Sequence, residues 1–105
     1  MDASYIDINN NHCLISINNF LQYYTIEPFE KISSIEVKTN QICLNKNNII
    51  YVEFDKKLIT YNIEEGKCDG KITFKDNIHD INCSDTEIGI SIEHEIYVYN
   101  IKTTN

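Results

Sequence analysis

Three tyrosine-centred segments recur at nearly constant spacing along the 105-residue chain. Tyr24, Tyr61 and Tyr99 lie 37 and 38 residues apart. The apolar residues before each tyrosine repeat as Cys13, Ile15 and Ile17, then Ile50, Val52 and Phe54, then Ile88, Ile90 and Ile92, and those after it as Ile35 and Val37, then Ile72 and Phe74. A repeat of about 40 residues with four short strands is typical of a β-propeller blade, which must stack on neighbouring blades to bury its faces. The period therefore predicts an all-β, WD-repeat-like propeller whose function lies on blade edges and loops.

Alternation of apolar and polar residues places the strands within each repeat. Blade one is predicted to have strands at 4–8, 12–17, 20–26 and 32–37, blade two at 41–44, 49–54, 57–63 and 71–74, and blade three at 78–82, 88–92 and 95–101. The second strand of each blade is expected to be buried and inner, and Pro28 falls in a connection, where it removes no ladder donor.

No linker divides the chain, so we predict one partial propeller domain over 1–105. Its blades are expected at about 4–38, about 40–75 and, incomplete, about 78–102, which makes about two and three-quarter four-stranded antiparallel blades. Unpaired edge strands attract other strands. Either the chain is a fragment of a longer propeller, whose open edges pair with the remaining blades, or it is a shortened protein that covers its open edges in another way, for example with other copies.

The charge of the chain argues against nucleic acid as a partner. The net charge is −7, and all nine cationic residues are lysines. Arginine is the side chain that binds phosphate and guanine edges in a forked, two-point geometry. We therefore predict protein partners, bound through blade edges and loops, and no nucleic acid.

Four cysteines, Cys13, Cys43, Cys68 and Cys83, are widely spaced and form no C-x-x-C pair. Residues 1–5 have neither a basic start nor an apolar run, so no signal peptide is visible, and no apolar stretch approaches the length of a membrane span. We expect a cytoplasmic protein with reduced thiols. Cys13, Cys43 and Cys83 fall inside predicted strands, where a cysteine acts as a small buried hydrophobic residue.

No constellation of residues supports catalysis, a metal or a cofactor. His12, His79 and His94 lie at strand starts and turns without the close spacing of zinc ligands. The carboxylate pairs Glu64/Glu65 and Glu93/Glu95 fall at turns or at exposed alternating positions, whereas acid–base catalysis needs carboxylates that converge. The prediction is a non-enzymatic protein with no catalytic, cofactor or metal site. The tyrosine rings are expected to pack between the sheets with their hydroxyls at the rim.

An ordered set of segments resembles the PROPPIN family of propellers. Segment 24–31 runs from an aromatic strand into the turn Glu27-Pro28-Phe29, as in the first complete PROPPIN blade. Segment 58–63, followed by Gly66 and Lys67, resembles the next outer strand of that family. Segment 93–101 (EHEIYVYNI) is similar to the family's run E-E-x-I-Y-I-Y-D-I. The similarity extends from about Tyr5 to Ile101 in the correct order.

This resemblance implies a seven-bladed, non-enzymatic adaptor that binds phosphatidylinositol 3-phosphate and its 3,5-bisphosphate in autophagy and endolysosomal trafficking. It implies peripheral attachment to autophagic or endolysosomal membranes. The family binds lipid through a Phe-Arg-Arg-Gly signature in a later blade, and this chain contains no arginine, so no lipid-binding residue lies here. In the second blade the family often has a longer loop with proline and basic residues that recruits a lipid-transfer partner. Here the corresponding turn, 53–57, is short and has no proline.

Three other functions remain open from the sequence. The chain could be a general WD-repeat scaffold that binds proteins and not lipids. It could also be a small free-standing β protein whose copies assemble a ring. An enzyme built on a propeller ranks last, because no reactive groups can be named for it.

Overall fold

The computed structural model describes residues 5–39 and 41–101 of the chain. These residues form three antiparallel sheets, in which each strand pairs with its neighbour in sequence. Blade one contains β1 (Tyr5–Ile8), β2 (His12–Ile17), β3 (Phe20–Thr25) and β4 (Glu30–Glu36), blade two contains β5 (Ile42–Leu44), β6 (Asn48–Glu53), β7 (Lys57–Asn62) and β8 (Lys67–Thr73), and blade three contains β9 (Asp80–Cys83), β10 (Glu87–Ile92) and β11 (Glu95–Asn100). The predicted fold class, an all-β incomplete propeller, is confirmed. Within the described ranges no helix is long and apolar enough to cross a membrane.

The strands lie where the sequence predicts them, with differences at their ends. The outermost strands begin earlier than predicted, at Glu30 and Lys67, because a bulge in each ladder lets pairing continue towards the turn. At the bulge in blade two, Gly70 lies opposite Thr60, where a Cβ atom would approach the Thr60 hydroxyl oxygen to 2.6 Å. The predicted strand residue 4, the predicted blade start at 40 and the end of blade three at 102 lie outside the described residues.

Each blade has one face towards the following blade and one towards the preceding blade, here called its forward and backward faces. Residues paired across a ladder share a face. In blade one, Leu14 pairs with Tyr23 on the forward face, and Cys13 pairs with Tyr24 on the backward face. Neighbouring blades stack forward face on backward face.

Two hydrophobic cores lie between the blades. The forward face of blade one packs on the backward face of blade two, and the forward face of blade two packs on the backward face of blade three. The first core contains Leu14, Leu21, Tyr23, Val37, Leu44, Ile49, Tyr51 and Ile59, and the second contains Cys43, Ile50, Val52, Leu58, Ile78, Ile81, Ile88, Ile90 and Ile92. Leu14, Ile50 and Ile90 are almost completely buried, so the second strands are buried interior strands of their sheets, as predicted.

The predicted alignment of the second strands is wrong by one residue for blade two, relative to both blade one and blade three: Ile49, and not Ile50, corresponds to Cys13 and Ile88. The turn after β2 has two residues, Asn18 and Asn19, whereas the turn after β6 has three, 54–56. Leu14 therefore corresponds to Ile50, because both lie on the forward face. Phe54 is not a buried strand residue: it lies in the turn and is 75% exposed.

The third strands keep the predicted register. Tyr61 pairs with Ile49, and Tyr99 pairs with Ile88, so both tyrosines lie on backward faces. Their rings are half-buried and pack against the two cores, as predicted. For one of the three repeat tyrosines the described structure gives a hydroxyl contact: the Tyr24 hydroxyl donates a hydrogen bond to the side-chain oxygen Oε1 of Gln22 at 2.8 Å.

Candidate functional site: a groove at the rim between blades one and two

A groove of about 690 Å³ lies at the rim where blades one and two meet. Two hairpin turns and the connection from β4 to β5 surround it. Its lining is Tyr5, Ser16, Asn18, Asn19, Glu36, Val37, Lys38, Thr39, Val52, Glu53, Phe54 and Asp55. These residues come from four strands and three connections of the two blades, so neither blade alone forms the groove.

The groove contains exposed apolar side chains that blade stacking does not explain. Within the described residues, nine large hydrophobic side chains are exposed: Tyr5, Ile6, Ile8, Phe20, Phe29, Ile32, Phe54, Ile96 and Val98. Five of them lie on blade one at its open backward side or outer strand, and Ile96 and Val98 lie on the open forward face of blade three. The remaining two, Tyr5 and Phe54, both line the groove. Exposed apolar surface of this kind commonly marks an interaction site.

Hydrogen bonds fix the floor of the groove. The buried Ser16 hydroxyl donates to the Thr39 carbonyl oxygen at 2.7 Å, and the Thr39 hydroxyl donates to the Val52 carbonyl oxygen at 2.6 Å. Ser16 belongs to blade one and Val52 to blade two. The connection is therefore attached to both blades, so the groove is preformed.

The Phe54 side of the groove is held in an unusual backbone conformation. Phe54 and Asp55 have φ angles of 55° and 63°, a region that residues other than glycine rarely adopt. Backbone bonds secure the turn, because the Ile78 amide donates to the Asp55 carbonyl oxygen at 2.7 Å and the Phe74 amide donates to that of Lys56 at 2.9 Å. Residues held in sparsely populated conformations cluster at functional sites. The Phe54 ring is thus presented to solvent by a constrained turn.

The charge around the groove is mainly negative. Glu36, Glu53 and Asp55 contribute carboxylates, whereas Lys38 is the one cation among the lining residues. A second lysine, Lys57, places its ammonium 5.4 Å from the centre of the Phe54 ring. The arrangement can bind an apolar side chain next to cationic groups.

The residues considered for chemistry do not converge. His12 begins β2 and stacks on Tyr23 with ring centroids 4.9 Å apart, while His79 lies before β9 and His94 lies in the turn between β10 and β11. Glu64, Glu65, Glu93 and Glu95 are all exposed. Among residues 5–39 and 41–101, no three His, Cys, Asp or Glu side chains are grouped as metal ligands would be.

The prediction for two of the cysteines is wrong. Cys43 on β5 and Cys83 on β9 are joined by a disulfide, so they do not act as reduced thiols. Cys43 points forward and Cys83 points backward, and the bond therefore joins the innermost strands of blades two and three. Cys13 is a free, buried thiol as predicted, and desolvation, with a smaller contribution from Asp7, raises its pKa. Cys68 is free and exposed.

Sequence reasoning missed the groove because it assigned Phe54 to a buried strand. The signal was present in the lengths of the hairpins: the spacing from Leu21 to Leu58 is one residue longer than that from Leu14 to Ile50. An extra residue must therefore lie in the turn of blade two.

Comparison with known proteins gives matches only in structure. No protein-family model matches the chain. No curated protein matches it. The solved structure of Hsv2 from Kluyveromyces marxianus superimposes with a TM-score of 0.75 at 14% identity, over 94% of this chain and 32% of that one. The complex of KlAtg21 with the coiled coil of AgAtg16 gives a TM-score of 0.76 at 18% identity, over 94% of this chain and 36% of that one.

A third solved propeller, from a different protein, is also similar to this chain. The β-propeller domain of Cps50 (Swd1) from Myceliophthora thermophila gives a TM-score of 0.68 at 7% identity, over 94% of this chain and 39% of that one. The chain spans about a third of the length of these three structures. Hsv2 and Atg21 are PROPPINs, so the resemblance predicted from the sequence is confirmed. At these identities the likeness shows the fold alone: this chain folds as consecutive stacked blades of a β-propeller.

Proposed function

We propose that this chain is part of a non-enzymatic propeller scaffold that binds a segment of a protein partner in the rim groove. One observation supports this proposal most strongly: two exposed aromatic side chains, Tyr5 and Phe54, line the same preformed groove between blades. The fold supports it as well, because one similar structure, that of KlAtg21, was solved with a coiled coil.

The chemistry of the groove defines the segment. An apolar side chain of the partner packs between Tyr5 and Phe54, and lysine or arginine residues beside it lie near Glu36, Glu53 and Asp55. The groove is open and small, so the contact belongs to the weak, transient class of interfaces. Each exposed charge pair contributes about 0.2–1 kcal/mol and is screened by salt.

Peptide selection tests this chemistry without a known partner. A phage-displayed library of random peptides is selected on the immobilised chain and then screened against a Phe54→Ala variant. We expect the enriched peptides to combine an apolar residue with lysine or arginine, and to lose binding to Phe54→Ala. Phe29→Ala is the matched control, because Phe29 is similarly exposed, at 66%, on the opposite rim. Peptides that are acidic, or that bind both variants equally, would refute the assignment of the groove.

For the full-length protein we propose a PROPPIN-type role: a cytoplasmic adaptor that binds phosphoinositides and attaches peripherally to autophagic or endolysosomal membranes. The support is the resemblance in sequence and fold. Because the chain lacks arginine, this proposal assigns the headgroup site to blades beyond the ones described.

Vesicle flotation of the protein expressed from its complete reading frame tests this role. One vesicle population contains phosphatidylinositol 3-phosphate, and the control population contains unphosphorylated phosphatidylinositol at the same mole fraction. Flotation with the first population alone supports the adaptor. Absence of flotation with both favours the alternative, a general WD-repeat scaffold that binds proteins and no lipid.

A further inference from the structure

At the same rim, the gap between blades two and three is filled with apolar side chains. Val52 on β6, Ile78 before β9 and Ile92 at the end of β10 are buried in one core. Two hydrogen bonds hold the backbone of Ile78 there, because its amide donates to the Asp55 carbonyl oxygen at 2.7 Å and the Gln41 side-chain nitrogen donates to its carbonyl oxygen at 2.7 Å. An open groove is therefore not a general property of a blade junction in this chain.

Strand register shows which residues occupy the same three positions in the rim groove. Ladder pairing fixes the equivalence, since Tyr51 of blade two corresponds to Ile90 of blade three. The equivalent pairs are Ser16 and Val52 on the forward faces, Thr39 and Ile78 in the connections, and Glu53 and Ile92 on the backward faces. All three positions are apolar in the filled gap and polar in the groove.

Glu53 brings a charge to the base of the groove. It is half-buried, and its ladder partner is Lys57, whose ammonium lies 5.4 Å from the centre of the Phe54 ring. Among residues 5–39 and 41–101 the one salt bridge joins Lys67 to Glu65. The Glu53 carboxylate is thus not paired with a lysine of this part of the chain. A half-buried carboxylate without such a partner favours a cation that another molecule supplies.

The other polar groups of the groove also favour a cationic occupant. Glu36 and Asp55 add two carboxylates to the lining, against the exposed Lys38. At the floor, the buried Ser16 hydroxyl donates its one hydrogen to the Thr39 carbonyl oxygen. Its oxygen lone pairs can therefore accept a hydrogen bond from a partner.

We propose that the basic residue of the partner is an arginine whose guanidinium enters the groove and pairs with the Glu53 carboxylate. The inference rests on the peptide-binding function proposed above and names the residue that the groove selects. A planar guanidinium forms two parallel hydrogen bonds to a carboxylate and stacks on aromatic rings, whereas an ammonium is a compact point charge. Tyr5 and Phe54 supply the rings, Glu53 supplies the carboxylate and Ser16 supplies a further acceptor.

Titration of the isotope-labelled chain with three synthetic peptides, followed by amide NMR shifts, tests this assignment. The peptides are acetyl-Gly-Leu-Xaa-Gly amides in which Xaa is arginine, lysine or citrulline, which has the shape of arginine without its charge. We expect the arginine peptide to shift the amide signals of Ser16 and Glu53. It should bind about fivefold more tightly than the citrulline peptide, with the lysine peptide between them.

Two variants assign the preference to one carboxylate. Glu53→Gln keeps the size of the side chain and removes its charge, so the arginine and citrulline peptides should bind it with equal affinity. Asp55→Asn is the matched control, because it removes another carboxylate of the lining and asparagine tolerates the positive φ angle at this position. This control should retain the preference for arginine.

The outcomes separate this inference from the proposed function. Equal affinity of the wild-type chain for arginine and citrulline, with loss of both in Phe54→Ala, would overturn the arginine assignment and leave the groove as the binding site. A preference for arginine that persists in Glu53→Gln would overturn the assignment of Glu53. Binding that does not respond to Phe54→Ala would overturn the proposed function as well. Absence of shifts with all three peptides would overturn the arginine assignment, and the peptide selection described above would then decide on the groove separately.

Discussion

Reduction of the Cys43–Cys83 bond tests how strongly blade three depends on blade two. The bond closes a loop with a sequence separation of 40 residues. Chain-entropy arithmetic for such a loop gives about 4 kcal/mol of stabilisation, through the unfolded state. Small domains have a free energy of unfolding of about 5–15 kcal/mol, so the bond supplies a large fraction of it. Reduced chain should therefore unfold at much lower denaturant concentration.

Urea unfolding followed by circular dichroism measures this effect. With a slope of about 1–3 kcal/mol per molar urea, a loss of about 4 kcal/mol lowers the midpoint by about 1.3–4 M. The Cys43→Ser/Cys83→Ser variant should match the reduced wild type and should not respond to reductant. Cys68→Ser, which alters an exposed free thiol, should keep the full response. A wild-type midpoint that does not move on reduction would refute the reasoning, because it would mean that the bond does not restrict the unfolded chain.

Three further measurements follow from burial. Iodoacetamide should modify Cys68 rapidly and Cys13 slowly in the native chain, because Cys13 is buried and its thiol pKa is raised; equal rates by peptide mass spectrometry would contradict this. Burial also raises the pKa of Tyr23 and Tyr51 above 10.0, so the stability they contribute is present below pH 10.0 and is lost as pH rises through their folded-state pKa values. Replacement of either by phenylalanine should reduce the loss of stability at alkaline pH, measured by urea midpoints, and an unchanged pH profile would argue against their burial. Leu14→Ala should lower the free energy of unfolding by about 2–5 kcal/mol, because Leu14 is fully buried between two blades; a loss below about 1 kcal/mol would mean that the interface collapses around the gap.

The repeat of 37–38 residues predicted the blades because it is most constant in the third strand of each blade, which contains the tyrosine. Tyr24, Tyr61 and Tyr99 lie in β3, β7 and β11 and face the same way in all three blades. A side chain on a strand reverses its face with a shift of one residue. The constant spacing of the tyrosines therefore gave both the number of blades and the orientation of these strands.

The groove and the disulfide could not be obtained in the same way. Phe54 was misplaced because one additional turn residue is invisible in a period averaged over the repeat. The Cys43–Cys83 bond depends on two opposite orientations, one forward and one backward, in different blades. A sequence separation of 40 residues carries no such information. Both features arise where two blades meet. An alternating sequence pattern shows which way residues face within one strand, but it does not show how two blades are placed against each other.

Peptide capture should depend on the groove and not on exposed apolar surface elsewhere in the chain. Phe54 lies at the rim and lines the groove, whereas Ile8 lies on β1 and does not line it. Phe54→Lys should therefore abolish capture of the selected peptides, and Ile8→Lys should leave it unchanged. Both side chains are exposed in the single chain, at 75% and 61%, so neither substitution removes buried apolar contacts from its core. Loss of peptide capture in the Ile8→Lys chain would show that the peptides bind outside the groove.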